Sequence, residues 1–358
     1  MSKLRNVLVC SGEVSGDRII RPFLDYLIER GVHCRGLGGQ SLVHAGLELV
    51  CKRDGLSVTG TTEALRGLAP TLRAYRQLVS ELGSVDALLL CDYPEVNLRL
   101  AKKAQRLNVP VVYLAPPQAW AWRPWRSAAL AHAHYVGCLF PFSTQWYRSR
   151  GVAARWLGHP LAEHRPLCGH RVDDIAILPG SRVQTVCRTL PSMLKVVRIL
   201  HERGIGTGFN LVRSKEIPEA LLTRYLDEFR EFISITTDAD SALSHSTVSL
   251  VHPGTATLHS ALRGCMPVTM CDPTRLTRLL GRVLMNAEHL SLPNLILDRV
   301  EFPEFVMAPR LEYAIADSVM RALNAPDLHR DAFNSVRLAC YNDAADREPE
   351  IAFRFLFS

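Results

Sequence analysis

Residues 6–31 read NVLVCSGEVSGDRIIRPFLDYLIERG, and the fold turns on how this stretch is read. Asn6–Cys10 is a short apolar run that ends at Ser11 and Gly12. A run this short and this apolar is a strand buried on both faces. Ile19, Ile20, Phe23, Leu24, Leu27 and Ile28 then recur on one helical face, and Gly31 stops the helix. Strand, tight turn and helix are the opening of a parallel, doubly wound sheet.

The pattern continues outward. Strands are expected at Val32–Leu37, Ala87–Cys91, Val111–Leu114 and Tyr135–Phe140, with a helix from Glu95 to Leu107. It restarts with a strand at Ile175–Leu178 and a helix from Thr185 to Arg203. Further strands are expected at Gly208–Val212, Ile233–Thr236, Val248–Val251 and Pro267–Met270. Gly158–Asp173 lacks periodicity and reads as a linker, and a terminal helix is expected from Tyr341. The expected architecture is α/β: a first Rossmann-like domain over 1–165, a second over 166–340, and a helix over 341–358 returning to the first. Two parallel sheets facing across a cleft would bind ligand at their carboxyl edges.

A chain of 358 residues with 47% hydrophobic and 22% charged residues can bury two cores and carries no mark of disorder. The net charge of +7 suits an anionic partner. The basic residues are scattered and match no nucleic-acid module, so nucleic acid is not the expected partner. Ten cysteines, with no C-x-x-C pair, lie partly in strand-like runs and read as buried thiols of a reducing compartment. Neither a signal segment nor a spanning apolar stretch is visible, which points to the cytoplasm.

Four strand-to-helix turns and one loop carry candidate chemistry. SGEVSGD (Ser11–Asp17) brings backbone close to a ligand at a helix start; Ser15 is a candidate cap, and Glu13 suits sugar hydroxyls better than phosphate. CDYPEVN (Cys91–Asn97) delivers Asp92 at a strand end, where a carboxylate can act as general base. PPQAWAWRPWR (Pro116–Arg126) offers Trp120, Trp122 and Arg123 for sugar stacking, phosphate or a membrane interface. LPGSR (Leu178–Arg182) combines the amides of Gly180 and Ser181 with Arg182, a corner that stabilises a diphosphate. HPGTATLHSAL (His252–Leu262) repeats such a helix start at Gly254 and Thr255. Asp238-Ala239-Asp240 mimics a metal-binding D-x-D but reads as a helix cap with an acidic first turn. No metal or cofactor is expected.

Taken in order, SGEVSGD, GLGG, LSVTGTTEAL, the stretch from Cys91 to Arg123, LGHPLAE, LPGSR, PGTATL, SLPN and FPEF resemble the lipid-A-disaccharide synthase family over nearly the whole chain. The resemblance implies a GT-B glycosyltransferase, inverting and metal-independent, peripheral on the inner face of the cytoplasmic membrane. Its substrates would be UDP-2,3-diacylglucosamine and 2,3-diacylglucosamine 1-phosphate (lipid X), and UDP would be released. By resemblance Asp92 activates the acceptor hydroxyl, and Asp92, Arg182 and Glu13 are the catalytic candidates. Ser15, Asn97, Trp120, Trp122 and Arg123 would line the acceptor side. Gly180, Ser181, Arg182, Gly254, Thr255, His259 and Asn294 would hold the nucleotide. Glu63–Val79, with leucines at 65, 68, 72 and 78 and arginines at 66, 73 and 76, is a candidate membrane surface. The chain departs from the family pattern at Thr185 and His259, each in place of Glu, at Pro253 in place of Ser, and at Met307 in place of Gln. All four lie in the nucleotide half. Another UDP-sugar enzyme of this fold and a catalytically silent lipid- or nucleotide-binding homologue are the alternative readings.

Overall fold

The computed structural model describes residues 5–51, 63–121, 123–162, 172–206, 208–273, 289–308, 310–343 and 348–357. The chain forms two compact units, Met1–Pro160 with Cys340–Ser358, and Leu161–Ala339. The sequence-based boundary at 165/166 falls outside the described residues.

In unit 1 the elements run β1 (Asn6–Ser11), α1 (Val14–Ile28), β2 (His33–Leu37), α2 (Gln40–His44), β3 (Glu48–Leu49), α3 (Glu63–Glu81), β4 (Ala87–Cys91), α4 (Pro94–Arg106), β5 (Val111–Leu114), β6 (Tyr135–Cys138), α5 (Pro141–Arg148) and β7 (Ala154–Trp156). The sheet order is β3-β2-β1-β4-β5-β6-β7, with every pair parallel. Alternate residues feed the two faces. Leu8, Leu88, Leu90 and Tyr113 join one core, and Val7, Val9, Leu89 and Val112 the other. Helices cover both faces, which explains why these strands are apolar at successive positions.

Unit 2 contains β8 (Val172–Leu178), α6 (Val183–Glu202), β9 (Phe209–Val212), α7 (Glu219–Leu226), β10 (Ile233–Thr236), α8 (Ala239–His245), β11 (Ser246–Val251), α9 (Thr255–Leu262), β12 (Met266–Cys271), α10 (Leu292–Leu297), β13 (Glu304–Val306), α11 (Leu311–Asn324) and α12 (Arg330–Cys340), the last reaching the unit boundary. Its parallel sheet has the order β10-β9-β8-β11-β12-β13. Strand order reverses between β1 and β4 in the first sheet and between β8 and β11 in the second. Such reversals open a crevice at the carboxyl ends of the strands, because the crossovers leave in opposite directions.

The expected terminal helix is displaced. Residues 341–343 are not helical, and the last helix, α13, spans Glu348–Phe357. It packs on α1, where Phe353 stacks with Tyr26 at 6.4 Å. The Glu348 carboxylate is buried, accepts from the Tyr135 hydroxyl, and takes two bonds of 3.0 Å from the Arg155 guanidinium. Nearby, the Asn342 side chain donates to the Trp156 carbonyl at 2.7 Å. Glu348→Ala leaves the buried Tyr135 hydroxyl without its acceptor, while half-exposed Arg155 regains water. The expected loss is about 1–3 kcal/mol in urea unfolding, with faster amide exchange across α13.

Candidate active site

Of the candidate residues in unit 1, Glu13, Ser15, Asp92 and Asn97 lie on the two turns at its strand-order reversal. β1 ends at Ser11, and Glu13 takes the N-cap position of α1. Ser15, expected as the cap, instead stands exposed in the first helical turn. Gly12 is required by close approach: a Cβ there would lie 2.4 Å from Cγ of Tyr93.

Tyr93 and Asp92 form the turn between β4 and α4, and both hold left-handed backbone, with φ of 47° and 46°. Ala115 and Arg123, beyond the carboxyl end of β5, share this conformation at 46° and 58°. Non-glycine residues held this way store about 1–3 kcal/mol each and persist only where neighbours enforce them. The neighbours of Asp92 are on hand. Its carbonyl accepts the Tyr113 hydroxyl at 2.7 Å and the Asn97 amide at 2.9 Å. Burial, and then the Asp92 charge, hold the Tyr113 phenol well above its ordinary pKa, so it remains a donor.

Asn97 corrects a sequence expectation. It does not line a substrate surface, because it is wholly buried. Its Nδ2 serves the carbonyls of Cys10, Cys91 and Asp92 at 3.3, 3.1 and 2.9 Å. It therefore positions Asp92 through the backbone.

The loop after β5 is packed on its own unit. Trp120 stands edge-on to Phe142 at 5.0 Å, Phe142 stacks on Phe140, and Tyr147 donates to the Pro117 carbonyl at 2.6 Å. Arg123 is exposed and Trp125 is 67% exposed, so these two face outward. Trp122 lies outside the described residues. Along α3, Ala74 and Leu78 enter the core while Leu72, Arg73 and Arg76 are exposed. Leu78 thus leaves the candidate membrane surface, and the side chains of 65, 66 and 68 lie outside those described.

In unit 2 the turns after β8 and β11 are neighbours, since those strands pair and the His252 amide donates to the Leu178 carbonyl at 3.0 Å. Ser181, Arg182, Gly254 and Thr255 are exposed at the starts of α6 and α9, with Arg182 and Gly254 as the N-caps. Gly180 holds φ +119°, and a Cβ there would meet the Thr185 side chain at 2.7 Å. Two helix N-termini and one guanidinium thus adjoin at a single edge, where an anion is favoured.

His252 has its Nδ1 3.3 Å from the Thr189 hydroxyl. Burial first, then the charges of Arg188 and Arg182, push its pKa down to about 4. His252 heads the HPGTATLHSAL motif, and nothing in the sequence marks it for a role.

His259 and Asn294 are engaged elsewhere. His259 Nε2 and Arg263 Nε share one oxygen of Asp240, at 3.0 and 2.6 Å. Burial raises the Asp240 pKa, but those two partners outweigh it and hold the carboxyl below its ordinary value. Asp238 caps α8 through the Ser241 amide at 3.0 Å. The D-x-D pair is thus a cap and an ion-pair anchor. Asn294 was expected at the nucleotide, and the structure contradicts this: it is fully buried and its amide is saturated. Nδ2 donates to the Phe302 carbonyl and Glu304, each at 2.8 Å, and Oδ1 accepts the amides of Glu301 and Phe302 at 3.0 and 2.9 Å. Glu304 also accepts the amides of Leu290 and Ser291. SLPN and FPEF are two halves of one internal clasp.

Two parallel-sheet domains with their strand-order reversals define a GT-B glycosyltransferase fold. CalG4, the calicheamicin glycosyltransferase, shares it with a TM-score of 0.61 at 13% identity, over 99% of each chain. More narrowly, the chain belongs to the lipid-A-disaccharide synthetase family, which it matches over residues 7–328. The lipid-A-disaccharide synthase of Syntrophus aciditrophicus is 31% identical over 344 residues, covering 90% of this chain and 89% of that protein. That of Neisseria gonorrhoeae is 30% identical over 365 residues, covering 95% and 93%.

Asn97→Asp is isosteric but turns an oxygen toward three carbonyls, so urea unfolding should show a loss of about 3 kcal/mol or more. His252 is neutral when folded, whereas the unfolded chain protonates it near the ordinary value of 6.5. Its contribution is complete above that value and is lost as pH falls toward 4, reaching about 2 kcal/mol by pH 5. Wild type should lose this increment between neutral pH and pH 5, and His252→Asn should not.

Proposed function

We propose that this enzyme transfers a 2,3-diacylglucosaminyl group from UDP to the hydroxyl of 2,3-diacylglucosamine 1-phosphate, forming a lipid A disaccharide 1-phosphate and releasing UDP. One observation carries the reading within the family. The best motif residues of each unit stand at the carboxyl edge of its sheet, at the strand-order reversal. Unit 1 offers carboxylates there, and unit 2 offers helix N-termini with Arg182.

That division suits the chemistry. An alcohol attacking an anomeric carbon must lose a proton, and Asp92 is the base. The strained turn fixed by Asn97 and Tyr113 sets the direction of its carboxylate before the acceptor arrives. Glu13, at the start of α1, takes sugar hydroxyls. The leaving diphosphate gathers charge as the bond to the anomeric carbon breaks. Arg182 and the amides of Gly180, Ser181, Gly254 and Thr255 stabilise that charge more than they stabilise the intact donor. Direct displacement inverts the anomeric centre.

Lipid substrates place the work at a membrane surface. No helix among the described residues is long and apolar enough to cross a membrane. We assign a peripheral seat on the inner face of the cytoplasmic membrane, with exposed Leu72, Arg73, Arg76, Arg123 and Trp125 as its supports in unit 1.

UDP release with both lipid substrates tests the reading. Asp92→Asn should lower kcat by about 10²–10⁴-fold. Arg182→Ala should lower it by about 10²–10³-fold. Both variants should melt near the wild-type temperature. Near-wild-type turnover in either removes that residue from the mechanism. A wild-type chain that binds both lipids without releasing UDP is a silent homologue.

A further inference from the structure

We propose that His252 is a diphosphate ligand, its Nε2–H donating to a phosphate oxygen of the bound nucleoside diphosphate beside the Gly180–Arg182 and Gly254–Thr255 turns. The inference rests on the reading of this corner as the UDP site and adds a residue to it.

The geometry is specific to the imidazole. His252 is the first residue beyond β11, at the point where strand order reverses, and its backbone is pinned to Leu178 of β8. One side of the ring meets α6, with Nδ1 3.3 Å from the buried Thr189 hydroxyl. The other side faces the neighbouring turn: a Cβ built on Gly180 would lie 3.9 Å from Cδ2. Nε2 is the next atom round the ring, and it has no partner among the described residues. The 3.3 Å contact admits the Thr189 hydroxyl as donor into Nδ1; a neutral ring then carries its hydrogen on Nε2, the atom bonded to the Cδ2 that faces Gly180.

Electrostatics agrees with this assignment. Arg188 and Arg182 are the charged groups that bear on the ring, and with burial they keep it neutral. The arginines supply charge, and the imidazole supplies an oriented donor that needs no desolvation of a third cation. A diphosphate seated among them offsets the arginine field and strengthens the imidazole bond.

Calorimetry with UDP, UMP and uridine tests the proposal on the full chain. His252→Asn retains an amide for Thr189 but does not reach the phosphate. It should weaken UDP binding about tenfold to a hundredfold and leave uridine binding unchanged. His252→Gln, whose amide nitrogen approximates Nε2, should recover most of the loss. In wild type, the His252 ¹⁵N resonances should report the Nε2–H tautomer and shift with UDP but not with uridine. That measurement stands even if a variant fails to fold. UDP affinity within about twofold of wild type in a folded Asn variant overturns the proposal, as does an equal loss for uridine. A wild-type chain that does not bind UDP overturns the nucleotide reading itself, a separate result.

Discussion

The first unit depends on one amide. At the paired carboxyl ends of β1 and β4, the carbonyls of Cys10, Cys91 and Asp92 converge on one side chain, and buried carbonyls must find donors. Asn97 supplies them from the first turns of α4. The same bonds hold a left-handed turn that aspartate and tyrosine would not adopt unaided. Joining the ends of two strands and fixing the turn that carries Asp92 are thus one interaction. In unit 2 the corresponding strand ends are joined by backbone, from His252 to Leu178, and by an imidazole in contact with Thr189 of α6.

Most of the fold was legible because parallel strands covered on both faces cannot be anything but apolar. Residues 87–91, 111–114 and 233–236 occupy the expected bounds. The strands that went unread, β3, β7 and β13, are two or three residues long. Edge strands this short have no room for periodicity. The break after Cys340 was missed because its reason lies far away in sequence, where Asn342 reaches the Trp156 carbonyl.

The site was legible at the level of motifs and less so at the level of side chains. Glycines and arginines of the helix starts stand where turn chemistry puts them. Asn97 and Asn294 sit in equally telling motifs, yet both face inward and bind backbone. A polar residue beside a ligand-binding turn has two ways to satisfy its amide, and the sequence does not say which. His259 shows a third outcome: the imidazole replacing the family's glutamate pairs with Asp240, and Arg263 joins it. His252 carries no signal in the sequence, because Thr189 and Gly180 reach its two sides only through the fold.

The Glu348 latch has a consequence for biosynthesis. The residues that close unit 1 leave the ribosome only after the whole of unit 2 has been made. At ordinary elongation rates that delay is roughly ten to forty seconds. Until then α1 lacks the helix that packs on it, and the Tyr135 hydroxyl lacks its carboxylate acceptor. The usual N-to-C order, in which a domain completes itself before the next begins, is therefore inverted: the second domain can finish first.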